Sequence, residues 1–121
     1  MRIEGVARAT LYGIANCDTI RKARRWLEDH RVDYEFYDYR RQGLDAKLLQ
    51  TLESRLGWEA MLNRKGRSWR QLPESVRERV DRDSALELML DNPAMIKRPI
   101  LAAADGLHLG FDAARYEEIF A

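Results

Sequence analysis

Between Val6 and Tyr39 an apolar run, a glycine, an amphipathic run and an aromatic run follow one another. That succession constrains the fold more than any other feature of the chain. Val6-Ala7-Arg8-Ala9-Thr10-Leu11-Tyr12 is apolar on alternate positions and rich in strand formers, and Gly13 ends it, which predicts a buried strand. Ile20, Ala23, Trp26 and Leu27 recur at helical spacing, while Arg21, Lys22, Arg25 and Glu28 face elsewhere. A helix is therefore predicted, capped by Asp18 or Thr19 and ending near Asp29-His30. Val32 to Tyr39 is aromatic and alternating, hence a second strand. Strand, helix and strand in roughly thirty residues form a βαβ unit, with a right-handed crossover and parallel strands.

The rest of the chain must complete this unit. From Gly43 to Met95 the texture is helical. Leu44-Asp45 opens a helix carrying Leu48, Leu49, Leu52 and Leu56, and Gly57 stops it. Trp58 to Leu62 reads as a short helix, and Asn63-Arg64-Lys65-Gly66 as a loop with Gly66 suited to positive φ. Pro73 opens a helix to Val80, and Ser84 begins a last one that ends at Asp91-Asn92-Pro93. Ile100 to Ala104 is a strand, Asp105-Gly106 a two-residue hairpin signal, and Leu107 to Gly110 the return strand. Asp112 caps a final helix carrying Ala113, Tyr116, Ile119 and Phe120. The expected fold is α/β: a thioredoxin-like four-stranded mixed sheet with helices on both faces. Residues 1–121 make one domain, with residues 43–95 as a helical insertion too thinly apolar to stand alone.

Composition bounds the function. A chain of 121 residues builds a core without staples, and its single cysteine forms no internal disulfide. No apolar run has membrane-spanning length, and Met1 to Gly5 lacks the apolar stretch of a signal peptide. A cytoplasmic protein with no membrane partner is expected. The formal net charge of +1 gives no argument for nucleic-acid binding.

Cys17 is the centre of the chemistry. A free cysteine is most often a small buried hydrophobe. Here it sits at a strand-to-helix turn between Asn16 and Asp18-Thr19. Unpaired N–H groups and the helix dipole there favour thiolate, the nucleophilic form. Asp18 would oppose this if it pointed inward. Because Cys17-Asp18-Thr19-Ile20 lacks a second cysteine, any oxidised form of Cys17 needs an external thiol, for which glutathione is the natural candidate. Arg98-Pro99 is a proline at a strand entrance or, on the sharper reading, a cis bond facing the cysteine loop. Arg64, with Lys65 beside it, is a solvated loop charge or an anion-binding arm. His30 and His108 have no ligand-spaced partners, so no metal site is expected. Trp26, Trp58 and Trp69 read as packing residues.

These segments resemble the arsenate reductase-like (ArsC/Spx) family, most closely its YffB-type branch. The similarity runs from Ala9 to Phe120 through Leu11-Tyr12-Gly13-Ile14, Asn16-Cys17-Asp18-Thr19-Ile20, Asp38-Tyr39-Arg40, Gly57-Trp58-Glu59-Ala60, Leu62-Asn63-Arg64-Lys65-Gly66, Trp69-Arg70 and Ile96-Lys97-Arg98-Pro99. The resemblance implies a thioredoxin-like fold with Cys17 as nucleophile. Arg98, before a cis Pro99, would hold the substrate anion with Arg64 (or Lys65) and Asn16. A third arginine of the arsenate reductases lies near the hairpin, and Ala102 to His108 contains none. The branch implies a thiol reductase with no bound cofactor, glutathione or another small thiol as co-substrate, and glutaredoxin as a candidate partner. The alternatives are arsenate reduction and an Spx-like regulator acting through RNA polymerase. Spx members commonly use a CxxC switch, which Ile20 removes here.

Overall fold

The structure is a computed structural model and describes residues 8–121. Of these, residues 8–42 and 98–121 form one compact unit, and Gly43–Lys97 forms a second.

The first unit is built on a sheet of four strands: β1 (Ala9–Gly13), β2 (Tyr34–Asp38), β3 (Ile100–Ala103) and β4 (Gly106–Leu109). Their order is β2-β1-β3-β4. β1 runs parallel to β2, with Leu11 beside Phe36 and Gly13 beside Asp38. It runs antiparallel to β3, with Leu11 beside Leu101. β3 and β4 form the hairpin. This is the expected mixed sheet in the thioredoxin-like arrangement. Strand β1 starts at Ala9, and the Val6-Ala7 portion of the predicted strand lies outside the described residues, as does the Met1 to Gly5 terminus.

Helix α1 (Asp18–Asp29) crosses from β1 to β2 and buries Ile20, Ala23, Trp26 and Leu27, the four positions its periodicity marked. Ala23, Trp26 and Leu27 join Ala9, Leu11, Val32, Leu101 and Tyr116 in one core. Burial of each large side chain in such a core contributes roughly 1.5–3 kcal/mol. The core therefore holds α1 firmly against the sheet and fixes what its first turn presents. The closing helix of this unit starts after Asp112, whose carboxylate accepts the N–H groups of Ala114 and Arg115. It packs on the same core, with the Tyr116 ring edge-on to Trp26 at 5.5 Å.

Between them α2 (Tyr39–Gln42) is a single turn that the alternation of the β2 segment hid. Its start is set by Asp38, whose Oδ1 accepts the Arg40 N–H at 2.9 Å and ends the strand.

The second unit holds α3 (Ala46–Leu56), α4 (Trp58–Met61), α5 (Arg67–Arg70), α6 (Glu74–Glu78), α7 (Arg82–Asp91) and a 3-10 turn (Pro93–Met95). With these in place, the closing helix Ala113–Ile119 is α8. Leu49, Leu52, Met61, Leu62, Trp69, Ala85, Met89, Met95 and Ile96 are its buried apolar residues. The unit runs to Lys97, two residues past the expected insertion boundary. Leu62 and Ile96 form an antiparallel bridge, and the Lys97 N–H donates to the Met61 carbonyl at 2.7 Å.

Several local expectations are corrected. Cys17 itself is the N-cap of α1, in place of Asp18 or Thr19, with an extended backbone at φ −148° and ψ 131°. Gly66 has φ −79° and not a positive value. Its lack of a Cβ serves a close approach, since a Cβ there would stand 2.9 Å from Asn63 Nδ2. Helix α7 starts at Arg82, because Asp81 caps it and Ser84 completes a capping box from inside. The hairpin loop is Ala104-Asp105, one residue early, since Gly106 already pairs with Ala103. Gly106 holds φ +133°, which accounts for glycine there.

Candidate active site

The thiol sits where β1 hands over to α1. The carboxyl ends of parallel β1 and β2, beside antiparallel β3, make the kind of crevice in which open α/β sheets place their chemistry. Gly13 makes the handover possible. A Cβ on it would stand 2.3 Å from Ile20 Cδ1 and 3.1 Å from Cγ1, so any side chain here would have to displace the buried Ile20 from the first turn of α1. The Cys17 N–H donates to the Ala15 carbonyl at 3.0 Å, and the Cys17 carbonyl accepts the Arg21 N–H at 3.0 Å. The residue is thus held from both sides while its side chain stays half-buried.

Arg98 arrives from the segment before β3. Its Nε donates to Cys17 Sγ at 3.5 Å. The Arg98–Pro99 peptide bond is cis. Pro99 is fully buried, and its carbonyl accepts the Gly110 N–H at 2.9 Å, tying the strand entrance to the end of the hairpin.

Opposing effects act on the thiol. Burial raises its pKa. The hydrogen bond from Arg98, the N–H groups of Ile20 and Thr19 and the positive charge of Arg98 lower it, and together they prevail, so the pKa lies below that of an ordinary cysteine. Asp18 does not oppose this from within. Its side chain is 85% exposed and forms an ion pair with Arg21. Arg21 also donates to Asn16 Oδ1 at 3.2 Å, so exposed Asn16 and Asp18 are both drawn onto the first turn of α1.

Three tyrosines stand at the same strand ends. The Tyr12 ring lies 5.2 Å from Tyr37 and 6.3 Å from Tyr39. Tyr39 is 2% exposed, and among the described residues its hydroxyl has no hydrogen-bond partner. Burial pushes its phenol far up, and the neighbouring Tyr12 and Tyr37 add to this against the opposing charge of Arg98, so Tyr39 stays protonated.

Of the residues singled out in the sequence, the first unit thus assembles Cys17, Arg98, Pro99 and Asn16. Arg64 belongs to the second unit, where it is exposed and its guanidinium lies 5.5 Å from the Trp69 ring centre. Trp26 and Trp69 are buried and Trp58 is half-buried. His30 caps the C-terminal end of α1, stacked on Trp26 at 3.8 Å. His108 pairs with Asp105 at 2.9 Å. Among the described residues no three His, Cys, Asp or Glu side chains gather as a metal-ligand set, and no helix is long and apolar enough to cross a membrane.

The sequence shows Arg24 only as part of the basic cluster Arg21, Lys22, Arg24 and Arg25 after the cysteine, able to attract an anion but more simply solvated, and it does not mark Arg41 at all. Together with Phe36 and Gln42, Arg24 and Arg41 line a cleft that reaches Ala15. Each looks like an ordinary solvated charge in its own segment, and only the folding of α1, β2 and α2 brings them together.

The half-buried thiol thus stands at a helix N-terminus with a guanidinium on its sulfur, an arrangement that favours the thiolate over the thiol. Comparison with known proteins identifies the family. The ArsC family matches residues 12–119, and the chain belongs to that family. It is 52% identical to an arsenate reductase (ArsC) related protein of Brucella melitensis, with a TM-score of 0.80 covering 96% of this chain and 97% of that one. The YffB protein is 42% identical with a TM-score of 0.86, covering 93% of this chain and 99% of that one. A global transcriptional regulator Spx of Streptococcus agalactiae is 30% identical over 85% of this chain and 76% of the regulator.

Proposed function

We propose that this protein is a monothiol reductase that uses Cys17 as nucleophile and an external thiol, glutathione, as electron donor. One observation carries the reading: Arg98 Nε stands 3.5 Å from Cys17 Sγ at a helix N-terminus that no side chain caps. On a disulfide, the Cys17 thiolate attacks one sulfur, the S–S bond breaks, and the departing thiolate takes a proton. The resulting mixed disulfide on Cys17 is attacked by a glutathione thiolate. That step returns Cys17 as thiolate and leaves glutathione joined to the first sulfur. Two electrons reach the departing sulfur, and glutathione sulfur is oxidised. Arg98 stabilises Cys17 as thiolate both as attacking and as leaving group.

Arg64 enters as a second anion-holding arginine on sequence grounds alone, and Asn16 and Pro99 as residues flanking the substrate. With one cysteine and external thiol reductant, the reaction suits a reducing compartment such as the cytoplasm. Disulfide reduction by glutathione, followed with native protein and Cys17→Ser, tests the reading. Native protein should turn over and Cys17→Ser should fall to the uncatalysed rate. Equal rates would overturn it.

A second reading, regulation through RNA polymerase, is favoured by the Spx relative. Ile20 stands where a second cysteine would complete a CxxC switch, which weakens it. Capture of RNA polymerase by native protein, together with no thiol turnover, would replace the enzymatic reading with this one. Arsenate itself is the less suited substrate, since residues 102–108 of the hairpin contain no arginine. Robust arsenate turnover with glutathione and glutaredoxin would contradict that argument.

A further inference from the structure

The unit that carries Cys17 also holds a cleft of about 430 Å³ lined by Ala15, Arg24, Phe36, Asp38, Arg41 and Gln42. One end is the loop of the reactive cysteine, because the Ala15 carbonyl is the group that accepts the Cys17 N–H at 3.0 Å. The other walls are α1, the end of β2 and the single turn α2.

Its polar groups are arranged to receive an anion. Arg24 is held in place: Nε donates to the Tyr34 hydroxyl at 3.0 Å, and the guanidinium lies 4.3 Å from the Phe36 ring centre. Tyr34 is itself fixed by donating to Glu28 Oε2 at 2.6 Å. Fixing Nε and one face leaves the terminal nitrogens of Arg24 as donors. Arg41 is exposed, and its side chain has no hydrogen bond or ion pair among the described residues. Gln42 Oε1 accepts the Asp38 N–H at 3.0 Å, so its amide nitrogen remains as a donor. The acidic group of the cleft, Asp38, is 6% exposed and its Oδ1 accepts the Arg40 N–H at 2.9 Å, and the two arginines outweigh its single negative charge.

We propose that this cleft binds the carboxylate end of a small peptide-like thiol, the reductant that regenerates Cys17. The inference rests on the reading that an external thiol resolves Cys17, and it adds the place and the charge by which that thiol is recognised. Guanidinium groups match carboxylates by paired hydrogen bonds. Phe36 and Ala15 supply apolar contact, and Gln42 supplies a donor for a peptide carbonyl. A neutral thiol would bring no charge for Arg41, so the cleft selects for acidic thiols by what it withholds from others.

S-methylglutathione, which cannot exchange disulfides, separates binding from chemistry. Titrated into the native protein and followed by amide NMR shifts, it should perturb Ala15, Phe36, Arg41 and Gln42 and saturate. Affinity should fall about tenfold in Arg41→Gln, the scale of one charge-assisted contact. It should fall at least as far for the diethyl ester of the same probe. Shifts confined elsewhere, or equal affinity for acid and ester in native protein and Arg41→Gln, would overturn the proposal. Saturable, Arg41-dependent binding combined with no glutathione turnover would keep the cleft and sink the reductase reading. Turnover without such binding would do the reverse.

Discussion

The N-termini of the longer helices divide into two kinds. α3, α7 and α8 each begin with an aspartate whose carboxylate accepts a backbone N–H of the first turn: Asp45 from Leu48, Asp81 from Ser84, Asp112 from Ala114 and Arg115. α1 begins with Cys17, which makes no side-chain capping bond. Where the chain needs only a helix, it satisfies the orphan donors with a carboxylate. At α1 it leaves the Thr19 and Ile20 N–H groups to act on a thiol instead, and adds Arg98 from across the sheet. Stability forgone at that one terminus appears as thiolate character.

The largest effect expected from breaking this arrangement is at Gly13. Gly13→Ala drives a methyl into Ile20, which is fully buried, and overpacking of this kind costs about 1–3 kcal/mol. Thermal unfolding should show the loss. Thiol reactivity should fall with it, because Ile20 carries one of the N–H groups that lower the Cys17 pKa.

Next come the ordinary caps. Asp45→Ala and Asp112→Ala should each cost about 1 kcal/mol in denaturant unfolding and leave Cys17 labelling untouched. The opposite pattern is expected at α1. Cys17→Asp places a carboxylate, a stronger acceptor than the thiol, against the Thr19 and Ile20 N–H groups and beside Arg98, and should gain about 0.5–1 kcal/mol while abolishing turnover. If Cys17→Asp destabilised the protein, the two kinds of terminus would not differ as described.

Much of this was legible in the sequence because it depends on local chemistry. The helical spacing of Ile20, Ala23, Trp26 and Leu27, the cap at Asp112 and the stop at Gly57 are each written within a few residues. So was Cys17 at a turn. Errors fell where a neighbour decides the outcome. Gly66 answers to the Asn63 side chain, not to a turn angle. The start of α7 answers to a reciprocal pair, Asp81 and Ser84, of which Ser84 alone was read. Cys17 was passed over as the cap because a thiol is a poor capper, which is the property the site uses. The cleft of Arg24 and Arg41 has no local signal, since its walls lie on three elements.

The central claim is that α1 and Arg98 together hold Cys17 as a thiolate. The pH dependence of iodoacetamide labelling, measured on native protein and on Arg98→Gln, tests it most directly. Only the thiolate attacks iodoacetamide, so a lowered pKa moves the labelling midpoint down. The native midpoint should lie below the value of about 8.5 for a free cysteine. Removing Arg98 takes away both a hydrogen bond and a charge that favour the thiolate, so the Arg98→Gln midpoint should rise. A native midpoint at or above that of free cysteine, or one that Arg98→Gln leaves in place, would contradict the account.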